Sequence, residues 1–298
     1  QVLFLWRVTI PSKLFFDEVH YVPAARTLWA LEGPANTEHP LLGKLIIGLG
    51  IALAGDGPLG WRLFSTIAGT AVVVGVFAIL WWGLGRVRPA LFGGSCAVLG
   101  FTVYVQARIA MLDGFMAAFV VWAAAAMLWA MRSARPWRGW LAAGVLLGLA
   151  TATKWTAAPY VAFAGAGFLV LGWRWPERWR GLPRIPAVLV LGAVSVGTYF
   201  VTFLPAFFYA REPLTLGGLV PFQWHIYAQQ TQVLPFHTYQ SDWWSWPLVL
   251  RPIWYLYEPV DGAQRGVLLL GNPAILWGGL VAVGLCLWGW ARGRSTAC

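Results

Sequence analysis

The chain reads as an all-α polytopic membrane protein, a single domain over residues 1–298 with about eight transmembrane helices, and three observations predict it. Hydrophobic residues make up 59% of the sequence and charged residues 11%, with a mean hydropathy of +0.65; soluble domains carry roughly 25% charged residues. Apolar runs near the ~20 residues that cross a bilayer recur along the chain. Basic residues gather in alternate connections between those runs, the positive-inside bias of membrane proteins. That bias accounts for the net charge of +10. No basic stripe on a soluble face points to nucleic acid.

Taken in order, spans are expected at 1–12 (incomplete), 59–83, 90–107, 112–131, 139–154, 155–173, 185–206 and 266–290. The connections 84–90, 132–138 and 174–184 and the tail after 290 carry Arg86, Arg88, Arg132, Arg135, Arg138, Arg174, Arg178, Arg180, Arg184, Arg292 and Arg294, with Glu177 as their one acid. Placing them in the cytoplasm puts both chain ends inside. Every other acid then falls on the outer side or at its boundary: Asp17, Glu18, Glu32, Glu38, Asp56, Asp113, Glu212, Asp242, Glu258 and Asp261. The spans follow from apolarity alone, so this segregation supports them independently.

Two long outer segments result. The first, 13–58, holds an amphipathic piece from Val19 to Leu31, a polar turn from Glu32 to Glu38, and an apolar piece from His39 to Ala54. The apolar piece is short for a span and contains Lys44, so it reads as an interfacial or re-entrant helix. The second, 207–265, is rich in Trp, Tyr, Pro and His and suits an irregular amphipathic cap. The 21 Trp fit interfacial belts. Gly144 and Gly148 form a small-xxx-small pair expected to serve helix packing. Cys96, Cys286 and Cys298 are far apart and give neither a disulfide framework nor zinc spacing. The chain begins inside the apolar run Val2–Trp6 without Met and is expected to be truncated at both ends.

The chemistry centres on Phe15-Phe16-Asp17-Glu18-Val19-His20-Tyr21, two adjacent carboxylates at the end of an apolar run. Ionisable residues near a bilayer point to function; the alternative is that Asp17 caps an interfacial helix running to about Leu31. Polar residues at the same outer boundary are His39, Lys44, Arg62, Arg108, Asp113, Lys154, His225, His237 and Arg251. One such residue is ordinarily a snorkelling anchor. Several spans contributing to one level instead describe a carboxylate pair facing a cationic cluster. Cations suit a phosphate held at the bilayer edge, and a carboxylate beside them suits a general base on an acceptor hydroxyl. Together they suggest transfer of a group from a lipid phosphate to an alcohol. Cations alone can stabilise the leaving phosphate. Neither metal-ligand spacing, a Gly-X-Ser-X-Gly elbow nor a Gly-rich nucleotide loop is present. A transporter is the alternative from another class, but the polar groups gather at one face and no repeated halves are visible.

The motifs Phe16-Asp17-Glu18-Val19-His20-Tyr21, Glu38-His39-Pro40-Leu41-Leu42-Gly43-Lys44, Gly60-Trp61-Arg62, Arg108-Ile109-Ala110-Met111-Leu112-Asp113, Lys154-Trp155-Thr156, Trp246-Pro247-Leu248 with Arg251-Pro252, and Gly271-Asn272-Pro273 occur in that order. The ordered set resembles the protein O-mannosyltransferases, membrane enzymes of the GT-C fold. The resemblance implies an inverting transfer of mannose from a polyprenyl- or dolichyl-phosphate carrier to protein Ser/Thr hydroxyls. A lipid or cell-wall glycan acceptor is the alternative. It implies Asp17 as catalytic base and Glu18 as its support or a substrate-positioning group. Arg62 would contact the lipid phosphate or hold the carboxylates, and His39 and Lys44 would line the donor site. Arg108, Asp113, Lys154, His237 and Arg251 would act in substrate binding. No cofactor is implied, since the lipid-linked sugar is a substrate, and a divalent metal stays open. Partners would be the lipid donor, an acceptor protein segment and membrane lipids. The lack of a soluble appended domain and the Ala/Arg/Trp-rich composition point to a bacterial plasma-membrane member with an extracytoplasmic site.

Overall fold

The computed structural model describes residues 1–179, 181–233, 235–236 and 240–292. Helix α4 (Pro58–Leu84) starts on a proline at its first turn and stops at Gly85, whose φ of +68° closes the helix in the left-handed region. It packs on α5 (Val87–Leu99) and on α7 (Leu112–Arg132), and α7 packs in turn on α8 (Pro136–Thr153). Helix α10 (Arg184–Val201) covers the next side of α8, and α9 (Ala158–Arg174) lies against α8 and α10. Among the described residues, four helical stretches are long and apolar enough to cross a membrane: Pro58–Leu84, Leu112–Arg132, Trp155–Arg174 and Arg184–Phe208. Gly144 and Gly148 are where α8 and α10 close in. A Cβ on Gly148 would collide with the Ser195 carbonyl, and the Ser195 hydroxyl donates to the Gly144 carbonyl at 3.0 Å.

Alternation of direction puts the Arg-rich connections at one end of this bundle. Asp113 and Lys154 lie at the other. There a helical pair formed by α2 (Glu18–Trp29) and α3 (Leu42–Ala54) packs across α4, α7 and α8. These are the amphipathic and apolar pieces expected of the first long connection. Helix α11 (Leu219–Gln230) covers the same end. His225 Nε2 sits 3.0 Å from Thr37 Oγ1, and Gln230 Nε2 donates to the Glu38 carbonyl at 2.6 Å.

Three expectations need correction. The first is the span at 1–12. Helix α1 covers only Val2–Leu5, and Arg7 then takes a φ of +55°. Its carbonyls, and those of Val8, Pro11 and Lys13, accept hydrogen bonds from Arg108 and Arg62 in place of a helical ladder. The second is the span at 90–107, which breaks at Gly100 into α5 and α6 (Phe101–Gln106), where the backbone is extended (φ −68°, ψ 109°). The third is the span at 266–290, whose first residues are strand in an otherwise mostly helical chain. Strands β1 (Ile253–Val260) and β2 (Ala263–Leu269) form an antiparallel hairpin, and only after it does α12 (Pro273–Ala291) begin. Asp261 and Gly262 make its two-residue turn with φ +52° and +72°, the Asp-Gly chemistry of a tight hairpin. The hairpin rests against α6 and against Phe15, Phe16 and Met111 in one hydrophobic core.

Candidate active site

Asp17 and Glu18 are neighbours in sequence and opposites in environment. Glu18 is fully buried. Its Oε1 accepts from Arg62 Nε at 2.7 Å and from the Ala110 amide at 2.8 Å, and its Oε2 accepts from Arg62 Nη2 at 2.8 Å. Arg62 uses all five of its N–H donors. Two go to Glu18; the others go to the carbonyls of Val8 (3.0 Å), Pro11 (2.7 Å) and Lys13 (2.9 Å). One buried guanidinium thus ties α2, α4 and the 8–13 segment together. Of the two roles open to Arg62, the structure shows it holding a carboxylate, with every donor engaged by protein.

Asp17 occupies the N-cap position of α2 but makes no capping hydrogen bond, which removes helix capping as its role. The residue before it, Phe16, has a φ of +51°, a conformation that costs a bulky side chain about 1–2 kcal/mol. That turn stacks Phe16 on Tyr255 at 3.9 Å between ring centroids and leaves Asp17 half-buried. Tyr21, one turn along α2, donates its hydroxyl to Asp17 Oδ2 at 3.3 Å. Burial pushes the Asp17 carboxyl above the usual carboxylate range, against the opposing pull of Lys154, the Tyr21 hydroxyl and His20, and Asp113 adds to the rise.

Opposite this acid, Asp113 in the first turn of α7 accepts Lys154 Nζ on both oxygens, at 2.9 and 3.0 Å. The acid sits at a helix N-terminus and the base at the C-terminus of α8, each favoured by its helix dipole. The pair is partly exposed, 33% for Asp113 and 20% for Lys154, so it can still face a ligand. His39 lies edge-on to Tyr21 at 5.8 Å with Nδ1 buried and unpartnered among the described residues. Burial, and then the charges of Lys154 and Lys44, pull its imidazole down to about 4, so it is neutral at physiological pH.

The remaining predicted residues stand further back. Lys44 is fully buried and spends its three N–H bonds on the carbonyls of Ala35, Asn36 and His39, so it shapes the loop that carries His39. Arg108 donates to the carbonyls of Phe4, Trp6 and Arg7 and lies over the Tyr104 ring, away from Asp17. Arg251 is exposed and donates to the Gln240 carbonyl at 2.7 Å. His237 lies outside the described residues. Tyr21, Tyr255 and Gln106 went unrecognised in the sequence. Tyr21 had a usable signal, four residues past Asp17 on one helix face. Tyr255 and Gln106 meet only through the hairpin. Among the described residues no group of three or more His, Cys, Asp or Glu is gathered to hold a metal ion.

On the far side of Lys154, an apolar cavity of about 440 Å³ runs between α8, α9, α10 and α11, lined by Thr151, Trp155, Val161, Ser195, Tyr199 and Gln223. Trp155 Nε1 donates to the Tyr199 hydroxyl at 2.9 Å, and that hydroxyl donates to Gln223.

A family model described as dolichyl-phosphate-mannose-protein mannosyltransferase matches residues 38–202, over half the chain, and one described as the C-terminal four TMM region of protein-O-mannosyltransferase matches 215–292. The polyprenol-phosphate-mannose–protein mannosyltransferase of Mycobacterium tuberculosis is 30% identical over 93% of this chain, and that of Mycolicibacterium smegmatis 28% over 92%. The chain spans 66% of the length of each. Among solved structures, the Saccharomyces cerevisiae protein O-mannosyltransferase Pmt1-Pmt2 complex bound to the sugar donor gives a TM-score of 0.59 at 20% identity, covering 74% of this chain and 33% of that one. ArnT from Cupriavidus metallidurans gives 0.54 at 19% identity, covering 74% and 47%. These two likenesses establish the GT-C type of fold. The chain is a multi-pass membrane protein and belongs to the protein O-mannosyltransferase family.

Proposed function

We propose that this chain carries the catalytic site of an inverting mannosyltransferase at the outer face of a bacterial plasma membrane, moving mannose from a polyprenyl-phosphate carrier to Ser/Thr hydroxyls of proteins. One observation carries the reading. Asp17 is half-buried, does not cap its helix, and stands within the fields of Lys154 and Asp113 on a base locked by Glu18 and Arg62.

In this reading the acceptor oxygen attacks the anomeric carbon while its proton passes to the Asp17 carboxylate. The bond from that carbon to the phosphate oxygen breaks, and its electron pair leaves with the phosphate. Attack opposite the phosphate inverts the sugar, giving an α-mannoside from a β-linked donor. The leaving group needs charge stabilisation more than a proton, and Lys154, held by Asp113 yet partly exposed, is the cation placed to give it. Neutral His39 suits hydrogen bonding to a sugar. The cavity beginning at Trp155, next to Lys154, suits the first units of an isoprenoid chain. The mycobacterial relatives are named for this transfer.

The test supplies the purified membrane protein with polyprenyl-phosphate mannose and a Ser/Thr peptide. The expected product is an α-linked mannosyl peptide, identified by mass spectrometry and by its anomeric NMR signal. Mannose found on lipid or glycan with none on the peptide contradicts the acceptor, and a β-linked product contradicts the inversion.

A further inference from the structure

The hairpin and α6 each contribute a group beside the acids that the mechanism above does not use. Gln106, the last residue of α6, donates from Nε2 to the Tyr255 hydroxyl at 2.9 Å. The phenol oxygen is thereby occupied as an acceptor, and its own proton is left to give away. Tyr255 stacks on Phe16, the residue before Asp17, and feels the charges of both Asp17 and Asp113, so it stands beside the acids. The other amide atom, Gln106 Oε1, is buried with no partner among the described residues. A buried polar atom without a partner is destabilising unless something else satisfies it. The two groups thus present one donor and one acceptor side by side, both neutral, beside the general base. Phe16, stacked on Tyr255 and part-exposed, adds an apolar surface next to them.

A pyranose offers the matching chemistry: hydroxyl edges that both donate and accept, and C–H faces that pack on aromatic rings. We infer that Tyr255 and Gln106 form the hydroxyl-reading wall of the sugar subsite, binding a hydroxyl of the transferred sugar as it approaches Asp17. The inference rests on the transferase reading above. A phosphate would find no positive charge in this pair, and an isoprenoid chain would leave both groups unpaired. The fit is therefore to the sugar end of the donor.

Binding separates this role from a structural one. The full membrane protein is titrated with short-chain polyprenyl-phosphate mannose and, separately, with the bare polyprenyl phosphate, and the ratio of the two Kd values is the readout. Tyr255→Phe keeps the ring and its stack, and Gln106→Leu leaves Tyr255 in place should the first variant fold poorly. Either variant is expected to cut the preference for the sugar-bearing carrier by roughly threefold to tenfold, as one or two neutral hydrogen bonds are lost. Affinity for the bare carrier should not change. If folded variants keep the wild-type ratio, Tyr255 and Gln106 only brace the hairpin and the inference falls. In that case mannose transfer by the wild type would leave the transferase reading standing. A wild type that neither transfers mannose nor prefers the sugar-bearing carrier overturns both.

Discussion

Two halves of one acid pair, Asp17 and Glu18, divide the labour of this site. Glu18 faces inward to a guanidinium whose donors are all engaged, and nothing polar in that assembly is left for a ligand. Asp17 stands within the fields of Asp113 and Lys154, both partly exposed, and His39 Nδ1 and Gln106 Oε1 have no partner among the described residues. The lesson is one of satisfaction. Where polar groups are saturated the structure is being held; where they are left open, the proposed reading places the substrate. By the same test Arg62 and Lys44, whose donors are all engaged, hold the structure.

The largest expected effect breaks the saturated side. Arg62→Ala leaves the Glu18 carboxylate buried without its partner, which costs about 3–5 kcal/mol. Chemical or thermal denaturation of the purified protein should show it, and a variant as stable as wild type would mean that Glu18 and Arg62 are not the brace described.

Next comes the open side. A carboxyl whose folded pKa is raised weighs against folding as the pH rises from its unfolded pKa to its folded one, and fully so above both; Asp17 is such a group. Asp17→Asn removes the penalty, so its Tm at neutral pH should be unchanged or slightly higher while transfer falls about 10²- to 10⁴-fold. Loss of rate together with a large loss of Tm would place Asp17 with the brace.

The pH dependence sharpens the contrast further. Under the proposed mechanism transfer needs ionised Asp17, so the acid limb of the kcat profile should lie above the range of an ordinary carboxylate. Lys154→Ala removes a charge that lowers this pKa, and the limb should move to higher pH as kcat drops. Asp113→Asn removes a charge that raises it and also releases Lys154, so the limb should move the other way. Shifts of the same sign in both variants would mean that Asp17 is not the titrating base.

The smallest effect lies outside both regions. Arg26 pairs with Asp56 at 2.8 Å on an exposed surface, and Arg26→Ala should cost only ~0–1 kcal/mol with transfer unchanged.

The long spans could be read from the sequence because apolar length and Arg placement are local quantities, and α4, α7, the stretch around α9 and α10 follow them closely. The pairing of two acids with a cation from another helix was also readable in outline. Which acid the cation takes was not, because that depends on Arg62 reaching back from α4 to the 8–13 segment. The hairpin escaped because Gly266-Val267-Leu268-Leu269 continues the apolar run of α12, and hydropathy does not distinguish a strand from a helix over four residues. Its signal was the Asp261-Gly262 turn between two alternating stretches. With the hairpin missed, Tyr255 could not be placed beside Asp17. At 1–12 the apolar run was real, but long-range hydrogen bonds from Arg62 and Arg108 outcompete the helix there.

The decisive measurement compares Asp17→Asn with Glu18→Gln in one preparation, recording mannose transfer to peptide and Tm for each. Asp17→Asn is expected to keep its Tm and lose transfer, while Glu18→Gln is expected to lose Tm through its weakened grip on Arg62. A folded Asp17→Asn protein that transfers mannose at the wild-type rate would contradict the proposed role of Asp17.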